Sequence, residues 1–239
     1  MKTLIHIFNI FVFLLFFSTN SISYDSKGKI VFQESFGPSN DKNYHYSFWK
    51  ECGDVHIVLN KKGKYSSEWN DVECNWVGGK GWYGNDKITN IESVEYQAKF
   101  NIKKDKGVYF GIYGWTTDPL IEYYIIESHG SHNPLNCKDG KNFGKYKSNE
   151  EIYEVVKCRR ENKPSIQGQK SFDQYFSVRS PKKELKDIDG IIKIKDHFNY
   201  WESKGLKLGK HYYMILATES WDGVGTSEVE IKNIKMTQK

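Results

Sequence analysis

Two glutamates stand where a glutamate is costly. Glu122 lies inside Pro119-Leu120-Ile121-Glu122-Tyr123-Tyr124-Ile125-Ile126, and Glu219 closes Tyr212-Tyr213-Met214-Ile215-Leu216-Ala217-Thr218-Glu219. A carboxylate in apolar surroundings loses several kcal/mol of hydration unless something compensates it. Its pKa then rises, and a carboxyl that keeps its proton near neutral pH can act as an acid. Taken singly, each glutamate also reads as a strand residue at a solvent rim or as half of a structural ion pair.

The elements that must position them are strands. After Tyr24 the chain is a series of short segments rich in Tyr, Phe, Val and Ile, broken by Gly, Asn, Asp and Lys. Alternation is clearest at 94–100, where Val94, Tyr96, Ala98 and Phe100 share one face and polar residues take the other. Comparable runs cover 108–115, 122–128, 151–159, 173–179, 212–219 and 227–234. Repeated strands without helices between them predict antiparallel sheets packed face to face. One segment departs, Asp196 to Gly205, and predicts a single short helix over about 196–204, with Asp196 as N-cap, Gly205 as C-terminal stop, and Phe198 and Trp201 on one side. Aromatic residues make up 15% of the chain, many at alternating positions. Tyr and Trp join an apolar face to a polar edge, which suits sugar rings as well as ordinary packing.

The 239 residues carry a net charge of +5, spread rather than gathered, so nucleic acid is not expected as a partner. Met1-Lys2, the apolar stretch from Leu4 to Phe17 and the small-residue end Ser21-Ile22-Ser23 read as a signal peptide over 1–23. That predicts a secreted, extracellular protein, free of the membrane after cleavage, with one domain over 24–239 and no need to be more than a monomer. Export permits disulfides. The four cysteines allow three full pairings, and the local one, Cys52 with Cys74 and Cys137 with Cys158, is expected because each pair flanks a short connection between strand-like segments. No Cys-x-x-Cys and no histidine at ligand spacing accompany them, so no metal is expected.

The stretch Tyr113-Gly114-Trp115-Thr116 through Pro119-Leu120-Ile121-Glu122-Tyr123-Tyr124 resembles the nucleophile segment of family 11 glycoside hydrolases, the compact xylanases. Five more blocks resemble that family in its order: Trp76-Val77-Gly78-Gly79-Lys80-Gly81-Trp82, Pro164-Ser165-Ile166, Gln174-Tyr175-Phe176-Ser177-Val178-Arg179, His197-Phe198-Asn199 and Ala217-Thr218-Glu219. The resemblance covers about 44–239. It implies an all-β jelly-roll β-sandwich of two curved antiparallel sheets, with a hairpin thumb ending at Pro164-Ser165-Ile166 over a cleft. The implied activity is endo-acting, retaining hydrolysis of β-1,4-xylosidic bonds in xylan or xylo-oligosaccharides. Glu122 matches the nucleophile and Glu219 the acid/base, kept protonated by the charge of Glu122. Two carboxyls suffice for that chemistry, so no cofactor is implied.

By the same match Asn75 modulates the acid/base, where the family has Asn or Asp. Trp49, Tyr113, Tyr124, Arg160, Gln174 and Tyr213 match substrate-binding positions. Ser220-Trp221, Phe176, Gly130-Ser131-His132 and Thr117-Asp118 depart from the family pattern, with Ser220 next to the acid/base. Two other readings remain beside the hydrolase of xylan: a carbohydrate-binding sandwich without turnover, and a related hydrolase of another β-glucan.

Overall fold

The computed structural model describes residues 28–40 and 43–237; the expected signal peptide lies outside them. In chain order the elements are β1 (Lys29–Val31), β2 (Ser35–Pro38), β3 (His45–Lys50), β4 (Asp54–Leu59), β5 (Lys64–Val72), β6 (Trp76–Tyr83), α1 (Asn85–Ile88), β7 (Ile91–Thr117), β8 (Ile121–His129), β9 (Lys141–Ser148), β10 (Glu151–Ser165), β11 (Gly168–Arg179), β12 (Asp187–Ile192), α2 (Ile194–Ser203) and β13 (Lys210–Met236). A 3₁₀ turn covers Pro134–Asn136.

The alternating residues of 94–100 are all buried on one face, as the period of two requires. What the sequence divides into separate strands is continuous in two places. Segments 91–100 and 108–117 are one strand, β7, and 210–220 and 226–236 are one strand, β13. The polar stretch between the halves of β7 stays in the ladder because it pairs with Trp221–Thr226, with a register shift at Val224/Gly225. A bulge sharpens the local bend of its strand, and the two long strands thereby pass from one layer to the other.

Each layer is then easy to trace. The front layer runs β2–β3–β6–β13–β7–β8–β11–β10–β9, and the back layer runs β1–β4–β5–β13–β7–β12. The two layers are a jelly-roll sandwich whose hydrogen bonding continues through β7 and β13 rather than two separate sheets. One pair departs from the antiparallel expectation: β8 and β11 are parallel, with Gln174 opposite Glu122. The chain leaves β8, starts again at the edge strand β9 and folds inward through two reversals. It therefore arrives at β11 running the same way as β8.

Burial records the difference between layers. In β13 nearly every residue from His211 to Ser220 is buried, whereas after Gly225 burial alternates. The second half is covered on one face only; the first half has the interlayer core behind it and the cleft in front. Trp69, Trp76, Trp82, Trp201 and Tyr123 fill that core.

The helix differs from expectation in extent. α2 begins at Ile194, two residues before Asp196, with Lys193 at the cap position and no side-chain cap bond. Ile194, His197 and Trp201 lie on one buried stripe, so packing of Ile194 starts the helix early and moves Asp196 into its first turn. There it accepts a hydrogen bond from Ser148 Oγ at 2.8 Å. The far end is as expected: Gly205, at φ +75°, donates to Glu202 O and Leu206 donates to Trp201 O, the Schellman pattern that favours glycine. A second, one-turn helix, α1, was not foreseen. Both disulfides take the local pairing, Cys52–Cys74 and Cys137–Cys158. No helix among the described residues is long and apolar enough to cross a membrane.

Candidate active site

Strand β7 stands between β8 and β13 in the front layer, with Trp115 opposite Glu122 and Tyr109 opposite Glu219. The alternation of Tyr109, Tyr113 and Trp115 aims three aromatic side chains at the same side of the sheet, and the two glutamates join them. They line one cleft of about 870 Å³. Every other sequence-predicted binding residue lines it as well: Trp49, Asn75, Tyr124, Arg160, Pro164, Ser165, Ile166, Gln174 and Tyr213. The hairpin of β10 and β11 carries Pro164, Ser165 and Ile166 at its tip. Gly168, at φ +77°, closes the turn, and Ser165 Oγ donates to its carbonyl at 2.7 Å.

Glu122 is 8% exposed and Glu219 5%, but their surroundings differ. Glu122 accepts three hydrogen bonds: from Tyr113 OH at 2.8 Å and Tyr124 OH at 3.2 Å on Oε1, and from Gln174 Nε2 at 2.5 Å on Oε2. Trp115 Nε1 donates to Tyr113 OH at 2.6 Å, which fixes that hydroxyl so that its own hydrogen points at Glu122. Burial raises the Tyr113 and Tyr124 hydroxyls well above their ordinary range, so both stay protonated and donate. Glu219 has one donor, Asn75 Nδ2 at 2.9 Å on Oε1, and its Oε2 has no protein partner among the described residues.

This asymmetry decides where the proton sits. Burial raises both carboxyls. At Glu122 the Gln174, Tyr113 and Tyr124 hydrogen bonds oppose burial, because donors favour the charged form. At Glu219 burial is opposed chiefly by Asn75 and reinforced by the charge of Glu122, and the pKa is pushed up to about 8. The expectation that the charge of Glu122 keeps Glu219 protonated is thus corrected in its order: desolvation comes first and the neighbouring charge adds to it. Tyr124 eases the charged form of both groups, and Arg160 does so from across the cleft.

Of the departures, Ser220 turns out to be fully buried and absent from the cleft lining, since the next residue along a pleat faces the other way. Trp221 lines the cleft in its place. It meets Tyr109 edge-on at 4.8 Å and His132 at 5.4 Å, so two departures form one aromatic group at one end of the cleft. Phe176 stacks on Tyr124 at 4.6 Å. Tyr109 and Trp115 are among the lining residues not foreseen. Their signal was present, because both are an even number of residues from Tyr113 in one strand. No group of three or more His, Cys, Asp or Glu that could hold a metal occurs among the described residues.

The chain is similar to known proteins over most of its length. An endo-1,4-β-xylanase of Phaedon cochleariae is 43% identical over 204 residues, covering 85% of this chain and 91% of the relative. A bifunctional xylanase/xylan deacetylase and the endo-1,4-β-xylanase Xyn11B, both of Cellvibrio japonicus, are 44% and 43% identical over 80% of this chain; the match spans only 28% and 53% of their own lengths. Among solved structures, an endo-1,4-β-xylanase of Trichoderma reesei superposes with a TM-score of 0.68 at 30% identity, over 79% of this chain and 97% of that one. The family described as "Glycosyl hydrolases family 11" matches residues 41–230, a span that contains both glutamates, Asn75 and the thumb, and the chain belongs to that family.

Proposed function

We propose that the protein is an endo-1,4-β-xylanase that cleaves internal bonds of xylan with retention of configuration. Glu122 acts as nucleophile and Glu219 as general acid and then base. The observation that carries this reading is the unequal hydrogen bonding of two buried carboxyls in one cleft: three donors on Glu122 and one on Glu219. A retaining hydrolase needs one carboxyl ionised to attack the anomeric carbon and one protonated to release the leaving sugar. When the glycosyl ester forms, the charge on Glu122 disappears, Glu219 loses one of the causes of its raised pKa, and it can take a proton from water. Tyr113 and Gln174 hold the Glu122 carboxylate in place; Trp49, Tyr109 and Tyr213 offer ring faces to the sugars.

A binding protein without turnover has no use for a costly protonated acid beside a charged one, so the catalytic reading is preferred. Residues 1–23 are proposed as a signal peptide and 24–239 as a secreted, monomeric catalytic domain; the two disulfides suit an oxidising compartment. The test is reducing-sugar release from xylan and from cellulose, with the product anomer followed by NMR. Release from xylan alone, with the β-anomer formed first, is expected. Release from cellulose alone would move the substrate to another β-glucan, and release from neither would return the chain to the binding reading.

A further inference from the structure

The thumb hairpin sorts its charges by face. On its outer side Arg159 is opposite Asp173 in the ladder and bonds it at 3.2 Å, Lys157 reaches the same carboxylate at 3.0 Å, and Arg159 Nε meets Glu161 at 2.8 Å. Both cations and both carboxylates on that side are paired. The inner side holds Arg160, Lys163 and Lys170, and none of the three makes an ion pair or a side-chain hydrogen bond among the described residues.

The backbone produces this arrangement. Alternation alone would send Arg160 and Lys163 to opposite faces. A register shift between them, with Asn162 at φ +48°, inserts one extra residue and returns Lys163 to the face of Arg160. Asn162 N–H is held by Ser171 Oγ at 3.0 Å, which itself donates to Glu161 at 2.6 Å, so the bulge is fixed from the outer side. Lys163 lines the cleft, and Lys170 stands directly opposite it, one pair beyond Phe172, which also lines it. Like charges placed opposite each other in a ladder disfavour the pairing, and an anion between them would remove that cost.

We propose that the inner face of the thumb binds the carboxylate of a uronic acid branch on the xylan chain, through Lys163 and Lys170 with Arg160 beside them. The inference rests on the xylanase reading of the same cleft. Aromatic residues on the floor suit the unbranched faces of the main chain, whereas a charged branch rising from it meets the thumb. The cleft-lining glutamates other than the buried pair are Glu34, immediately before β2, and Glu51, immediately after β3, both at the opposite edge of the front layer.

The experiment compares kcat/KM on a glucuronoxylan and on the same polymer after its uronic carboxyls have been reduced to alcohols. At ~20 mM ionic strength the unmodified enzyme should favour the charged polymer roughly three- to tenfold, two exposed charge pairs' worth, and about 0.5 M salt should erase the preference. The difference should lie in KM. In the double variant Lys163→Gln/Lys170→Gln the preference should fall to about one while the rate on the reduced polymer stays unchanged, which also shows that the variant is folded. Equal rates on the two polymers in the unmodified enzyme, or a preference that survives in the double variant, would overturn the proposal. Cleavage of neither polymer would remove the xylanase reading and this inference with it.

Discussion

Strand β8 carries two buried glutamates that the pleat sends to opposite sides of the front layer. Glu122 faces the cleft and Glu127 faces the interlayer core, 1% exposed. Each accepts from two tyrosines: Tyr113 and Tyr124 at the first, Tyr96 and Tyr153 at the second. The third partner differs. Glu127 faces Arg179 at 3.6 Å, which Glu151 also holds at 2.5 Å, whereas Glu122 has the neutral amide of Gln174. A guanidinium completes the charge balance on the core side. On the cleft side Glu122 makes no ion pair among the described residues; Arg160 eases its charge only from across the cleft, and that charge also bears on Glu219. The same tyrosine cradle therefore holds a carboxylate paired with a guanidinium on the core side and, on the cleft side, the carboxylate proposed as nucleophile beside a neutral amide.

Exchanging the two roles gives the largest expected effects. Glu122→Gln should lower kcat by more than about 10³-fold, since it removes the proposed nucleophile, and leave the melting temperature unmoved or raised. Glu127→Gln should do the reverse: turnover per folded molecule near that of the parent, with stability down by about 3 kcal/mol, the lower end of the cost of breaking a buried pair because Glu151 still neutralises Arg179. Denaturant titration beside initial rates checks both. If Glu127→Gln abolished turnover in a folded protein, the division between the two faces would be wrong.

The next effect is smaller and concerns pH. Glu219 titrates at about 8 in the fold, above an ordinary glutamate at 4.5. A group raised by folding contributes stability below its unfolded pKa and loses it as pH rises towards the folded value, so Glu219 weakens the fold progressively between pH 4.5 and 8. Glu219→Gln should be inactive yet more stable at pH 8, by on the order of 3 kcal/mol, with little gain at pH 5. Core histidines act in the opposite sense. Burial lowers His197 to about 3 and His211 to about 4. The unfolded chain takes up protons that the fold refuses, so stability falls as pH drops below 6.5, by about 2 kcal/mol per histidine at pH 5. Urea unfolding across pH should show a maximum near neutrality, and His197→Gln should flatten the acid limb alone.

How much of this was legible in the sequence follows the same divide. Period-two alternation marks strands covered on one face, as at 94–100, and fails where both faces are covered, as in 210–220. There the residues read as an apolar run, and Glu219 looks merely misplaced. Continuity of β7 and β13 was hidden because the polar stretch at 101–107 is held by its partner strand, not by its own preference. The parallel pairing that sets Gln174 beside Glu122 depends on chain direction across three strands, which no local pattern records. The family resemblance supplied the proposed site residues; it did not supply the charge sorting on the thumb, which depends on one bulge at Asn162.

Residue 75 offers the finest adjustment of the contrast, because its amide donates to Glu219 and does most, after burial, to set that carboxyl's pKa. As the amide donates to the carboxylate it favours the charged form and so holds the pKa below what burial alone would set. In the proposed mechanism Glu219 starts protonated, so the descending limb of the pH–rate profile reports that proton and should fall off as pH passes about 8. Asn75→Ala removes the donor and should move this limb to higher pH. Asn75→Asp places a second carboxyl against the first, and the pair then titrates as a unit whose first proton leaves in the acid range. If turnover needs both protons, the descending limb should move down by about one pH unit or more, with kcat at the new optimum largely kept. The two substitutions at one position should therefore shift the profile in opposite directions. A limb that stayed fixed in both would mean that the proton on Glu219 is set by burial and Glu122 alone, and that the sparse hydrogen bonding of Glu219 is a by-product of the cleft rather than its control.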